Sequence, residues 1–197
     1  TTSAGNVFKD SNRELIIGEW NHISFIKKSS LVSLYINGLE DSALTLNNGV
    51  AGSTSETILG STPWQIGAEG QYSDLKTYQR EITKLEAASL YQAKFPPFEM
   101  EEKLYVTGPH EKRNTPQGHS LQFLDSSTSA SIGYSENNYE EDRPFTFAFN
   151  IRIDVEQESV NRNIAVFINK NGGFPFQLRR LKNSNDLRLT TRNGSTT

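Results

Sequence analysis

The sequence contains no cysteine among its 197 residues. This absence excludes disulfide bonds, thiolate metal sites and cysteine nucleophiles. No stretch approaches the roughly 18 consecutive apolar residues that a membrane-spanning helix needs, which predicts no membrane insertion. The net charge of −3 gives no overall electrostatic reason to expect nucleic acid as a partner.

Basic residues nevertheless gather near the C-terminus. They are Arg179, Arg180, Lys182, Arg188 and Arg192. Because side chains alternate along a strand, neighbours in this group would lie on opposite faces of a sheet. We therefore interpret the group as solvated surface charge rather than as a nucleic-acid site.

Alternation of apolar and polar residues runs through most of the chain. It is clearest over 145–153, where every second residue is Phe or Ile. Residues 20–25 and 31–36 show the same period of two, and Asn37-Gly38 after them favours a type I′ hairpin turn. The apolar run over 164–168 predicts a central strand that is buried on both faces. These patterns predict an all-β, antiparallel protein.

A single helix signal follows the strand pattern of 70–78. Thr83-Lys84-Leu85-Glu86 is a capping box, and Ile82 is placed to pack against Ala87 as a hydrophobic staple. The helix must end before Pro96-Pro97. We predict one short surface helix on an otherwise β protein.

Three of these stretches resemble motifs of the laminin-G-like modules in the concanavalin A-like lectin/glucanase superfamily. They are Trp20-Asn21-His22-Ile23, Leu34-Tyr35-Ile36-Asn37-Gly38, and the strand with its helix start over 70–83. The resemblance implies an antiparallel jelly-roll β-sandwich. The usual aspartate of the third motif is replaced by Ser73, so Asp74 lies one residue out of register, which predicts the opposite face for it.

The motifs occur in an unusual order. Those that close a module come first, whereas residues 121–123 and 144–149, which resemble the opening strands, come second. We therefore interpret residues 1–93 as the C-terminal half of a sandwich, 94–118 as a connector, and 119–197 as the N-terminal half.

Three arrangements explain this order. The chain is a circular permutant, or a window cut from a tandem array, or one half of a swapped dimer or filament completed by neighbouring copies. We favour an array or a polymer, because the two chain ends join cleanly in a loop. Whether residues 1–92 and 119–197 pack together is the deciding observation.

Glycoside hydrolases with the same fold need paired carboxylates at even spacing on one strand face. Their Glu-x-Asp-x-x-Glu string is absent, and the acidic stretch 154–158 has the right parity but lies where a strand runs into a loop. His22, His110 and His119 are scattered, which supports neither a catalytic triad nor a zinc site. We predict no catalytic residues and no enzymatic activity.

One loop combines aromatic rings, which stack on sugars, with amides, which bind hydroxyl groups. We predict it as the ligand-binding site: Tyr134, Glu136, Asn137, Asn138 and Tyr139. Trp64 is a further candidate. Calcium is a possible cofactor, because relatives bind it through loop oxygens. The candidate ligands are Asp125, residues 136–138, residues 161–163 and residues 183–186.

The resemblance implies a non-catalytic recognition or adhesion module from a repeat-containing extracellular, cell-surface or virion-surface protein. Its partner would be a glycan or a surface protein. One alternative is a structural repeat of a fibre or filament, in which copies of the chain assemble through complementary half-domains. A glycoside hydrolase of the same fold is the second alternative.

Overall fold

The computed structural model describes residues 7–45, 54–63, 65–92, 104–115, 118–133, 144–154, 159–169 and 176–191. Within these ranges the chain forms fourteen strands and one helix. The strands are β1 (Val7–Glu14), β2 (Trp20–Lys28), β3 (Leu31–Ile36), β4 (Leu39–Thr45), β5 (Thr54–Gly60), β6 (Gly70–Tyr78), β7 (Leu104–Thr107), β8 (His110–Thr115), β9 (Gly118–Phe123), β10 (Ser129–Gly133), β11 (Phe145–Arg152), β12 (Arg162–Asn169), β13 (Phe176–Arg180) and β14 (Asp186–Thr191). The helix is α1 (Lys84–Gln92).

The strands form two antiparallel sheets of seven. Sheet A has the order β1-β14-β13-β12-β5-β10-β7, and sheet B has the order β4-β3-β2-β11-β6-β9-β8. One continuous hydrophobic core joins residues of both sheets. The prediction of an all-β, concanavalin A-like sandwich with one short helix is therefore confirmed.

Aromatic residues of β2, β11 and β12 fill the centre of the core. The Phe147 and Phe167 rings lie 5.1 Å apart in a T-shaped contact, and Phe25 meets Phe167 in the same way at 5.9 Å. Such edge-to-face contacts stabilise a core beyond the burial of apolar area alone. Phe149 is also fully buried, as the alternation over 145–153 predicts.

The run over 164–168 also matches its prediction where its side chains are described. Ile164, Ala165, Val166 and Phe167 are all buried, and their strand β12 lies between β13 and β5 in sheet A. The side chains on both faces of this strand are therefore buried, which explains why its apolar residues are consecutive rather than alternating.

Strands from both halves of the chain pair with one another. Residues Trp20 to Lys27 of β2 pair with Phe145 to Arg152 of β11, and β1 pairs with β14. In sheet A, β5 lies between β12 and β10. The described strands of 1–92 and 119–197 thus pair with one another within one chain. This contact is the one expected of a circular permutant, and the array and the polymer stay predictions.

The segment 94–118, which we interpreted as a connector, contains the strands β7 and β8. Strand β7 pairs with β10 at one edge of sheet A, whereas β8 pairs with β9 at one edge of sheet B. The hairpin between them therefore closes this side of the sandwich. The sequence pattern missed β8 because its residues 110–113 are exposed, so that an alternating apolar face is not required.

The opposite side of the sandwich is closed by a polar side chain. Asp41 of β4 accepts a hydrogen bond from the backbone N–H of Asn12 at 2.8 Å, which ties β4 of sheet B to β1 of sheet A. The amide nitrogen of the Asn12 side chain also donates to the Asp41 carbonyl oxygen.

The helix begins as its capping box predicts. The Thr83 hydroxyl accepts a hydrogen bond from the Glu86 N–H at 3.2 Å, and the Glu86 carboxylate accepts one from the Thr83 N–H at 2.8 Å. Ile82 and Ala87 belong to one buried cluster on the outer face of sheet B, which confirms the staple. In the described part of the chain, no helix is long and apolar enough to cross a membrane.

The two ends of the described chain lie side by side. Val7, the first described residue, is the pairing partner of Thr191, the last. Joining residue 197 to residue 1 therefore requires only a loop between β14 and β1, and the motifs would then follow one another in the order usual for the family.

We predict that a rearranged chain folds into the same sandwich when residue 197 is joined to residue 1 and the new N- and C-termini are placed between α1 and β7. No described strand pairing is broken by this change, so circular dichroism should show the same β signal with one cooperative unfolding transition. A control opened between Phe147 and Ala148, inside a central strand, should not fold. Loss of cooperative unfolding in the first variant would contradict the single-chain sandwich.

Candidate functional site

The predicted ligand-binding loop lies outside the described residues. Tyr134, Glu136, Asn137, Asn138 and Tyr139 all belong to the range 134–143, for which no placement is described, and Trp64 is likewise outside. These residues remain a prediction from the sequence.

Three of the described candidates for calcium ligands make hydrogen bonds within the protein. Asp125 Oδ1 accepts hydrogen bonds from the Ser127 backbone and hydroxyl at 2.8 and 2.7 Å, and these bonds lower the pKa of the carboxyl group. Asn161 Oδ1 accepts one from the Lys182 N–H at 2.8 Å. Asn163 donates its side-chain N–H to a backbone carbonyl at 2.7 Å. Among the residues that the structure places, no group of three or more His, Asp or Glu could hold a metal ion.

Two polar rows cross the outer face of sheet B, which is the face turned away from the core. In the strand order β8, β9, β6, β11 and β2, the first row is Arg113, Ser120, Ser73, Asn150 and His22, and the second is Glu111, Gln122, Gln71, Arg152 and Trp20. Each member alternates along its strand with side chains that point to the core, such as Tyr72, Leu121 and Phe149.

Several members of the rows are buried although they are polar. Ser73, Asn150, Gln71 and Ser120 each expose 7 % of their surface or less. The Ser120 hydroxyl donates a long hydrogen bond, 3.4 Å, to Gln71 Oε1. These four members of the rows are therefore shielded from bulk water, whereas Arg113 and Glu111 on β8 are exposed.

Two buried atoms in the rows have no hydrogen-bond partner among the residues that the structure describes. They are the Ser73 hydroxyl oxygen and Gln122 Oε1. A buried polar atom without a partner costs about 1–3 kcal/mol of folding free energy. Such an atom destabilises the fold unless it has another role. These two atoms therefore mark the part of the polar rows where a ligand would supply the missing hydrogen bonds.

A β-bulge brings Asp74 to the same face. Asp74 has a φ angle of 50°, and the pairing of β6 with β11 shifts between Ala148 and Asn150. The Asp74 carboxylate lies 3.5 Å from the Asn150 side-chain nitrogen and 3.0 Å from Lys76 Nζ. The prediction that Asp74 lies on the opposite face is therefore wrong, because the extra residue of the bulge resets the alternation.

The acidic groups on this face are each neutralised by a cation. Asp74 pairs with Lys76, and Glu111 pairs with Arg113, both at 3.0 Å. In the acidic stretch 154–158 only Asp154 is described, and its carboxylate pairs with Arg152 at 2.7 Å. Within the described residues, this arrangement differs from the two neighbouring carboxyl groups that glycoside hydrolysis requires.

His22 occupies the end of the first row, under the helix. Its ring lies 6.3 Å from the Tyr91 ring, and its Nδ1 is 3.5 Å from the Ser24 hydroxyl. Burial, with a contribution from the Lys76 charge, lowers the pKa of His22 to about 4. The imidazole is therefore uncharged at neutral pH and contributes to packing between sheet B and α1.

The sequence patterns did not single out the polar rows, because each row takes only one residue from each strand. A signal was nevertheless present. The outward positions of the predicted strands carry small hydroxyls and amides, such as Ser73, Ser120, Gln122 and Asn150, where an ordinary solvated face carries Lys, Glu and Thr.

Comparison with known proteins identifies the first part of the chain. Residues 1–88 match the laminin G-type family model of the concanavalin A-like lectin/glucanases superfamily. No curated protein and no solved structure shows a significant match to the chain. The matched residues contain the strands β1 to β6 and the start of α1, and the resemblance predicted from their motifs is confirmed.

We predict that His22 makes the fold sensitive to mild acid. In the unfolded chain His22 takes up a proton near its usual pKa of 6.5, but in the folded chain only near 4. The unfolded state thus binds more protons between these values, and the free energy of unfolding falls as the pH is lowered, by roughly 3 kcal/mol in total.

Urea unfolding of the wild type and of His22→Gln between pH 7.5 and 4 measures this effect. The variant should show a shallower pH dependence, whatever its stability at neutral pH. Equal slopes for the two proteins would contradict the prediction.

Proposed function

We propose that this concanavalin A-like sandwich is a non-catalytic recognition module that binds a glycan through the polar rows of sheet B. The observation that carries the proposal is the pair of buried atoms without partners, the Ser73 hydroxyl and Gln122 Oε1. A sugar hydroxyl both donates and accepts hydrogen bonds, so one hydroxyl can satisfy either atom.

The charge pattern favours an uncharged sugar. Asp74 and Glu111 are each balanced by a neighbouring cation, so the rows present dipoles rather than a net charge to a ligand. Trp20, which ends the second row, is partly exposed and offers a ring of the kind that packs against sugar faces.

We propose the absence of catalysis on chemical grounds. Both carboxylates of the rows are occupied in ion pairs, and a glycosidase needs one carboxyl group protonated beside a second that is ionised. A role in adhesion outside the cell or on a virion surface follows from the family resemblance and stays part of the proposal.

A structural repeat of a fibre is the second candidate. We place it second because β2 pairs with β11 and β1 pairs with β14 inside one chain. Half-domains that are already paired in this way have no need of a partner copy to complete their sheets.

Glycan-array binding with and without calcium tests the proposed function. We expect binding to uncharged glycans that is insensitive to a chelator, since the rows contain no described metal site. Absence of binding to every glycan would contradict the proposal, and analytical ultracentrifugation of the same sample would show whether the chain assembles into filaments instead.

We predict that Ser73→Ala weakens glycan binding without destabilising the fold. The substitution removes a buried hydroxyl that has no partner within the described part of the chain, so the melting temperature should stay the same or rise. Loss of one hydrogen bond to a ligand should lower the affinity roughly 3- to 10-fold.

The matched control is Ser42→Ala. Ser42 is also buried with an unpartnered hydroxyl, but it lies on β4, opposite the core residue Leu34 and away from the polar rows. Titration calorimetry with the best array ligand should show unchanged affinity for this variant. Unchanged affinity for Ser73→Ala as well would remove the polar rows as the binding site.

A further inference from the structure

Two arginines lie side by side on the outer face of sheet A. In the pairing of β13 with β14, Arg179 is directly opposite Arg188. Their neighbour Arg180 is opposite Leu187, faces the core and exposes only 2 % of its surface. Alternation thus splits the basic group as the sequence predicts and leaves Arg179 and Arg188 together on the outer face. The interpretation as solvated surface charge is wrong for Arg180, because its alternation turns it towards the core.

Arg188 is held in place from two sides. Its Nε and Nη2 donate hydrogen bonds to the two carboxylate oxygens of Asp10, at 2.6 and 2.9 Å. Its guanidinium also lies 4.3 Å from the centre of the Phe8 ring. A bidentate ion pair combined with a cation–π contact leaves this side chain little freedom to move away from Arg179.

Arg179 is held by an uncharged group. Its Nε and Nη2 donate to Gln177 Oε1 at 2.9 and 2.6 Å. Gln177 is itself fixed, because its Nε2 donates to Asn163 Oδ1 at 2.8 Å and to Gln65 Oε1. No carboxylate in the described part of the chain pairs with Arg179.

Asp10 balances the charge of Arg188, but no described carboxylate balances the charge of Arg179. Burial and the neighbouring Arg188 charge lower the pKa of Arg179, which means that its environment disfavours the charged form. Like charges directly opposite each other on two strands destabilise a sheet. An anion beside Arg179 would supply the missing counter-charge, and it could accept hydrogen bonds from the guanidinium N–H groups that Gln177 and Asp10 leave free.

We propose that the arginine face, defined by Arg179, Arg188 and Phe8, binds a carboxylate or sulfate group carried by an acidic polysaccharide. Phe8 favours a sugar over an acidic peptide, because its ring is 55 % exposed beside the charges and can pack against a pyranose face.

The arginine face is separate from the polar rows, which lie on the other sheet. The inference therefore does not depend on the proposed function. The two surfaces also differ in chemistry. Asp74 and Glu111 on the outer face of sheet B are each balanced by a cation, whereas on the arginine face Asp10 balances Arg188 and no described carboxylate pairs with Arg179.

Fluorescence anisotropy with labelled polysaccharides tests the inference. Polygalacturonate presents carboxylates, dextran sulfate presents sulfate esters, and plain dextran presents neither. We expect one or both charged polymers to bind, with an affinity that falls as salt is added, and no binding of plain dextran. Failure of both charged polymers to bind would overturn the inference.

Arg179→Gln should weaken binding of the charged polymer roughly 10-fold or more, because a charge-assisted hydrogen bond is lost. Its melting temperature should not fall, since the variant also relieves the repulsion by Arg188. The matched control is Arg80→Gln, an arginine beside the helix on sheet B that is 54 % exposed.

Equal losses in the two variants would show non-specific charge attraction and would overturn the inference. Polyglutamate that competes as strongly as the polysaccharide would also overturn it, because the face would then recognise an acidic peptide.

Discussion

The pairing of β2 with β11 determines the arrangement of everything else in the sandwich. In its register Phe147 is opposite Phe25, and Asn150 is opposite His22. The first pair lies in the aromatic core, and the second lies in a polar row on the outer face. Because side chains alternate with a period of two, a slip of one residue would exchange these faces and destroy both the core and the rows.

This pairing also explains how much of the fold the sequence could predict. Its two strands carry strong alternation, and the capping box at Thr83 specifies the helix start by local chemistry alone. The strand β8 was missed for the opposite reason. It lies at a sheet edge, and its exposed residues 110–113 bury too little apolar surface to leave a pattern.

The candidate sites were harder to predict than the fold, because they are properties of neighbouring strands. Ser73 and Asn150 are far apart in sequence and meet only when β6 pairs with β11, and Arg179 meets Arg188 in the same way. Asp74 shows a further limit. Its bulge depends on a φ angle of 50°, which no alternation rule can anticipate in a non-glycine residue.

The juxtaposition of Val7 and Thr191 has a mechanical consequence. These residues pair at the same end of two antiparallel strands, and β1 has no other strand partner in sheet A. A pulling force applied at both would load the hydrogen bonds between β1 and β14 one after another, from that end inwards. Such unzipping needs much less force than shearing many bonds at once. A sandwich tethered through these two points would peel open under tension, whereas it would resist a load carried across its faces.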